Sequence, residues 1–318
     1  QIGNLKEDMV WMVETTVAGQ KVLAPVVYLS AATKAGIETG AVIAAKDANL
    51  NLTSLTNTGG TISGSNSLNI TSQGDITNLS GTIKGGDVSL SSTKGNIRNE
   101  TVATTTGNDK YQNTVIGKTA TITATKGLTL DAAKDITVKG GQVAAGGDAS
   151  LSAGGNVTFD TIENKKANTT SSSSSNGLTS TVTTTTVATT EQIKSGLTSG
   201  GNLSIKSKND ITLAGTDVNA GGNANLDAGG SVNLLARANS TKTTSSTTTS
   251  GLGVGGGLVG SQTTDSVKGS DRNVGTTLNV GGNAAVTAKK DITLQGATVD
   301  VKGDGKLDAG NNVNILAG

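Results

Sequence analysis

Hydrophobic residues along the chain come in short alternating triplets separated by small polar clusters. Leu203-Ser-Ile205 and Ile211-Thr-Leu213 are representative, and Gly, Asn, Asp or Lys stands between such segments. Alternation with a period of two predicts strands with side chains on opposite faces, and the Gly/Asn/Asp clusters predict tight bends. The segments recur at a fixed distance. Gly74-Asp-Ile-Thr-Asn78 maps onto Gly95-Asn-Ile-Arg-Asn99, and Leu130, Asp135, Ile136 and Val138 map onto Leu151, Asn156, Val157 and Phe159. Gly282, Val286, Asp291 and Ile292 map onto Gly303, Leu307, Asn312 and Val313, and every one of these offsets is 21 residues. A strand this short cannot bury an apolar face alone, but a coil of such units stacks Ile, Val, Leu and Ala into interior ladders. The expected fold is therefore all-β, a right-handed parallel β-helix with about 21-residue rungs. About a dozen rungs would give a rod on the order of 60 Å long.

A longer period lies above the first. Asp75, Asp135, Asp210 and Asp291 occupy one place in the rung, and Asn96, Asn156, Ser231 and Asn312 occupy it one rung later. Between these pairs the spacing stretches to 39, 54 and 60 residues, leaving 18, 33 and 39 beyond one rung of 21. Insertions are expected near 100–118, 161–199 and 236–279, the first of which has the length to conceal a degenerate rung. The other two are low-complexity: 16 of 22 residues from Thr169 to Thr190 are Ser or Thr, as are 10 of 11 from Ser240 to Ser250. Insertions in a solenoid tend to leave one face, so Ser/Thr/Gly-rich hairpin-like flaps are expected there, with solvated loops as the alternative. The candidate contact surface is Thr169, Ser173, Thr184, Thr243, Thr248, Leu252, Val254 and Leu258. Residues 1–40 read as a separate junction or cap module with a β-hairpin, holding both Met, the only Trp and the only Pro. Residues 41–318 carry the repeats.

Composition narrows the chemistry. Aromatics are 1% of the chain, namely Trp11, Tyr28, Tyr111 and Phe159, and bulky rings suit a narrow bore poorly. Cys and His are both absent, which excludes disulfides, imidazole catalysis and the usual zinc or copper sites. A net charge of +1 gives no pull toward nucleic acid. Gly117-Lys-Thr119 lacks the first Gly of a phosphate loop, since Gln112 stands there, and Gly251-Leu-Gly-Val-Gly255 lacks a strand-then-helix context. Gly147-Asp148 and Gly303-Asp304 read as turns, because calcium rolls need a shorter period. The Asp column raises a polysaccharide-cleaving β-helix, but paired carboxylates are required and each Asp is followed by Asn or Ser one rung later. That pattern fits turn capping. No catalytic, cofactor or metal site is expected, and the chain is read as not an enzyme. An ice-binding solenoid ranks low because the Thr runs fall off the rungs' register. The Gly-Leu-Gly-Val stretch is too short to span a bilayer as a helix, so a flexible loop outranks membrane contact there.

Certain stretches resemble a known family. Gly200-Gly-Asn-Leu-Ser-Ile205 and Gly146-Gly-Asp-Ala-Ser-Leu-Ser-Ala-Gly-Gly-Asn-Val-Thr158 are similar to haemagglutinin repeats of filamentous haemagglutinin-type exoproteins. Met9-Val-Trp-Met-Val-Glu14 with Val22-Leu-Ala-Pro-Val-Val-Tyr-Leu29 resembles a junction before a repeat block there, and Gly95-Asn-Ile-Arg-Asn-Glu-Thr101 resembles another recurring stretch. The Ser/Thr runs followed by Gly-Leu-Gly-Val-Gly resemble insertions of the second repeat block in contact-dependent growth inhibition toxins of the CdiA type. The resemblance implies an internal segment of a secreted protein at the bacterial cell surface, exported by an outer-membrane two-partner secretion transporter. It implies a stalk meeting a target cell's outer membrane or a surface receptor during toxin delivery. An adhesive filament binding host receptors or glycans is the alternative. The lack of Cys agrees with export of an unfolded chain, since a periplasmic disulfide would close a loop too wide to thread a pore.

Overall fold

The structure is a computed structural model and describes residues 9–17, 20–28 and 40–318. By its contacts the chain divides into two compact units, 1–42 and 43–318. In the first, Met9–Val17 and Gln20–Tyr28 pair antiparallel, from Met9 opposite Tyr28 to Val17 opposite Gln20.

The second unit is a parallel β-helix whose rungs cross three faces. In the fifth rung Gln142–Ala145 lies on the first face, Ala149–Ala153 on the second and Val157–Asp160 on the third. Equivalent strands of successive rungs pair in parallel, and the third-face sheet contains nine of them. Nine rungs among the described residues replace the dozen expected, because more of the chain leaves the coil than the repeat count allowed. At about 4.8 Å per rung the stack rises roughly 40 Å. The first two faces merge into one sheet because early strands bend across both: Thr61–Ser72 pairs with Thr82–Ser92 along its length, with a register shift between Gly64 and Ser67.

The core is a set of aliphatic columns, one residue per rung. On the third face Ile76, Ile97, Ile136, Val157, Ile211, Val232 and Ile292 stack in register, and all are buried. Ile70, Leu90, Leu130, Leu151, Ile205, Leu226 and Val286 do the same on the second. One ring enters the bore after all. Phe159 is fully buried, in a rung that compensates for its volume with Ala145, Ala149 and Ala153 at other inward places. In the first three rungs the same column is polar: Asn57 donates to Asn78 (2.8 Å) and Asn78 to Asn99 (2.8 Å). The remaining amide protons reach backbone carbonyls, Asn57 to Gly60, Asn78 to Gly81 and Asn99 to Ala120, so no carboxamide in this buried ladder lacks a partner.

The three corners are built differently. Between the second and third faces the Asp/Asn column forms a hydrogen-bonded ladder. Asp75 Oδ1 accepts from Asn96 N (2.8 Å), Asn96 Oδ1 from Asp135 N (3.1 Å) and Asp135 Oδ1 from Asn156 N (2.7 Å). The series continues through Asp210, Ser231 and Asp291 to Asn312. The turn-capping role expected of this column is what the geometry shows. Alternation places carboxylates two rungs apart, about 9.6 Å, instead of one, which limits like-charge repulsion. A second ladder at the first-to-second corner runs Asp148, Asn202, Asn223, Asn283, Asp304, each side-chain oxygen accepting the next rung's N–H. The Gly-Asp steps are therefore turns, as expected. At the third corner, Gly59, Gly140, Gly215 and Gly296 turn the chain in the left-handed region, with φ between 50° and 67°. Ser80 does so with φ 48°, its hydroxyl accepting from Val102 N. In the third, fifth and seventh rungs the equivalent residues are Thr101, Thr161 and Ala236, and there the chain leaves the rod.

Candidate functional site: a sheet of inserted hairpins

All three insertions are β-hairpins. The first pairs Ala103–Gly107 with Gln112–Ile116, the second Ile162–Ser175 with Thr179–Ile193, and the third Arg237–Leu252 with Val259–Val274. The possibility of a degenerate rung in the first is overturned: it leaves the coil at the same corner as the others. Gly117-Lys-Thr119 joins this hairpin to the next rung's strand, Thr121–Ala124, which removes the helix a phosphate loop requires.

The hairpins leave from every second rung, and this spacing lets them combine. A hairpin is two strands wide, about 9.6 Å, and two rungs advance the same distance. Each hairpin therefore meets the next without a gap, forming one six-stranded antiparallel sheet from Ala103–Gly107 at one edge to Val259–Val274 at the other. Gln112 lies opposite Ala167 where the first hairpin meets the second, and Thr183 opposite Thr247 where the second meets the third. The Thr runs are off the rungs' register, as expected, yet they are in register with one another.

Polar anchors hold the strand bases. Arg237, the first residue of the third hairpin, grips Asp160, just before the second, through Nε (2.8 Å) and Nη2 (2.7 Å). Asp160 also draws the guanidinium further toward its charged form. Lys194, at the return of the second hairpin, and Thr277, at the return of the third, both reach Asp217 of the rod, at 2.6 and 2.9 Å. Thr114 and Lys165 exchange two hydrogen bonds between the first and second hairpins.

Beyond the bases the sheet carries no charge from Thr169 to Thr190 or from Thr243 to Thr264. It is held together by hydroxyls across strands: Thr169 with Thr186 (2.8 Å), Thr183 with Thr247 (3.2 Å), Thr181 with Thr249 (3.1 Å) and Thr248 with Thr263 (2.9 Å). At the tips the surface turns apolar. Leu178 and Leu252 are exposed beside each other, Leu252 N donating to Leu178 O, and Leu258 and Val259 are 87% and 72% exposed. A 3-10 turn, Val254–Gly256, lies in the tip of the third hairpin. The outer edge strand carries Asp265, Lys268, Asp271 and Arg272, charges that discourage indiscriminate edge pairing.

The expected contact residues are partly brought together. Strand parity places Thr169, Ser173, Thr184, Thr248 and Leu252 on one side of the sheet, Thr243 on the other, and Val254 and Leu258 in the tip. Sequence reasoning missed Arg237 and Asp160, whose 77-residue separation carries no local signal. It also missed Leu178, which stands alone in a polar run. Among the described residues there is no cluster of three or more Asp or Glu side chains able to hold a metal ion. No helix among the described residues is long and apolar enough to cross a membrane.

Comparison with known proteins agrees with this architecture. A family profile described as "Hemagglutinin repeat" matches residues 98–188, 177–270 and 258–318. A "Toxin CdiA" of Yersinia pestis is 36% identical over 137 residues, covering 40% of this chain and 4% of that protein. A "tRNA nuclease CdiA" of Yersinia mollaretii is 30% identical over 249 residues, 67% of this chain and 8% of that protein. A "tRNA nuclease CdiA" of Escherichia coli is 26% identical over 267 residues, 74% of this chain and 8% of that protein. The chain thus spans less than a tenth of the length of these relatives. No solved structure matches it.

Proposed function

The chain belongs to the hemagglutinin-repeat family, and from that premise we propose that it is a stalk segment whose hairpin sheet contacts the target cell during toxin delivery across the outer membrane. Family membership and the CdiA relatives support a segment of a secreted exoprotein of the two-partner secretion type, exported through an outer-membrane transporter. The observation carrying the finer reading is the sheet itself. A rod needs only its corners closed, yet three hairpins are placed at the one spacing that joins them. The second and third carry no charge from Thr169 to Thr190 or from Thr243 to Thr264 and end on exposed Leu178, Leu252, Leu258 and Val259. Such an apolar tip on a hydroxyl-rich sheet suits contact with a surface that is itself partly apolar. Thr169, Ser173, Thr184, Thr248, Leu252, Val254 and Leu258 belong to that contact surface in this reading, with Thr243 on its reverse.

The reading is non-enzymatic. Asp75, Asp135, Asp210 and Asp291 spend a carboxylate oxygen on the next rung's backbone N–H, which supports a structural role for the one acidic column that invites catalysis. The nuclease names of the relatives describe those whole proteins, far longer than this chain.

The test is deletion of Thr169–Thr190 with Ser240–Gly260 in the full-length exoprotein, scoring secretion, cell binding and target killing separately. The reading expects secretion to persist while binding and killing fall. Normal killing by a secreted deletion protein would refute it.

A further inference from the structure

The inserted hairpins differ in length, and the difference leaves a notch in the sheet. The first hairpin ends in a turn level with Thr169: Thr169 donates to Lys110 O (2.9 Å) and Tyr111 Oη to Thr169 O (3.2 Å). The neighbouring strand, Ile162–Ser175, runs on past that turn. From Ser171 to Ser175 it pairs on one side only, with Thr184 to Ser180. Backbone groups alternate sides along a strand. Thr169 O and the backbone of Lys165 both face the first hairpin, so the N–H and C=O of Ser171, Ser173 and Ser175 face the notch. Among the described residues no strand takes them up.

An open backbone edge is a template for another strand, and sheets blunt it with charge, Pro or a bulge. The outer edge, Val259–Val274, is defended by charge. Two antiparallel copies of it centred on Lys268 would set Lys268 against itself and Asp265 against Asp271. The notch has no such defence. Its residues from Ser171 to Ser175 are all exposed serines, and no charge lies between Thr169 and Thr190.

The notch also matches its own strand. A second copy, turned about a two-fold axis at Ser173, brings Ser173 opposite Ser173 and Ser171 opposite Ser175. All the notch-facing residues then fall opposite one another, where each pair exchanges both N–H···O bonds. The lengths agree as well. The incoming strand ends at its own Ser175 and turns away at Asn176-Gly177, where Gly177 has φ 87°. That bend falls where the first hairpin closes the notch. The exposed Leu178 of the incoming turn arrives beside the turn that carries the exposed Tyr111, and symmetry repeats this contact.

We propose that the edge Ser171–Ser175 is a self-association site, through which two copies of this chain pair antiparallel about Ser173. The long hairpins of both copies then form one continuous sheet. Because the rod axis runs across the strands, the two-fold sets the two rods antiparallel, joining molecules that reach toward each other. So short an edge buries little area, which makes the pairing weak and reversible. The site rests on the hairpin sheet alone and holds whether or not that sheet serves toxin delivery.

Sedimentation velocity of the full 318-residue chain over a range of concentrations tests it. A reversible monomer–dimer equilibrium is expected. Ser171→Lys with Ser175→Lys sets like charges opposite each other across the two-fold and should weaken the dimer about tenfold. Ser171→Lys with Ser175→Glu sets opposite charges there and should restore it. Under mild oxidation Ser173→Cys, lying opposite itself, should form a disulfide between chains. Ser171→Cys, about 14 Å from its counterpart, should not. All three positions are exposed, and thermal unfolding confirms the fold of each variant. The Cys variants carry the test if a charged variant is not folded. A chain that stays monomeric up to about 1 mM, a dimer indifferent to both charge pairs, or equal cross-linking of the two Cys variants overturns the proposal.

Discussion

Asp160 and Arg237 lie 77 residues apart and meet through two hydrogen bonds at the root of neighbouring hairpins. The pair joins the end of a third-face strand to the start of the third hairpin, so it fixes where that hairpin begins. Both side chains are partly exposed, and solvent screening limits the pair to about 1 kcal/mol. Arg237→Met is expected to leave the rod's unfolding midpoint nearly unchanged. It should raise hydrogen exchange selectively at the base of the second and third hairpins. Uniform loss of protection along the rod would contradict this division of labour.

The buried Asn column gives a sharper stability effect. Asn78→Ala removes the acceptor of Asn57 and the donor to Asn99 in the dry interior, which should cost about 2–4 kcal/mol in urea unfolding. Replacing all three, Asn57→Leu with Asn78→Leu and Asn99→Leu, imitates the Leu213 and Leu234 seen later in the same column. The triple variant should lose less than the sum of the three single changes.

The corner glycines separate backbone strain from packing. Gly140 has φ 55°, and a Cβ there would stand 2.6 Å from Ile162 Cγ1. Gly140→Ala should therefore cost more than the roughly 1–2 kcal/mol of a left-handed alanine alone. Gly59, with open space around its Cβ position, should show only the conformational cost. Calorimetric comparison of the two variants checks the difference.

Acid should weaken one anchor in a defined direction. Lys165 sits 2.7 Å from Glu163 and holds its carboxyl below the ordinary value of 4.5. Stability from this contact is fully present above that value and is lost as pH falls through the lower folded midpoint. Both groups are over 40% exposed, so the amount is under about 1 kcal/mol. Carbon-detected NMR titration should show the Glu163 midpoint rising in Lys165→Met.

The rod was legible in the sequence because its signal is hydrophobic and local to the rung. Ile136 and Val157 differ by one rung and stack, and so do Asp135 and Asn156. The hairpin sheet was only half legible. Ser171–Ser175 and Thr183–Thr186 are polar on both sides, so no apolar alternation specifies register, and the register comes from anchors at the strand bases. The insertion near 100–118 was expected, but its 18 extra residues are close to a rung in length, which left a degenerate rung open beside a hairpin. The Asn column reads as turn chemistry in a sequence, and only the stacking of Asn57 on Asn78 shows it to be interior.

The joining of hairpins from alternate rungs into one sheet is tested most directly by cross-linking, for which a chain without Cys is convenient. Thr183 and Thr247 belong to different hairpins and lie directly opposite, within disulfide reach. Under mild oxidation Thr183→Cys with Thr247→Cys should form a disulfide within the chain, read as a mobility shift on non-reducing gels. Thr183→Cys with Ser250→Cys, offset by three residues along the strand, should not. Equal cross-linking of both pairs, or of neither, would contradict the sheet.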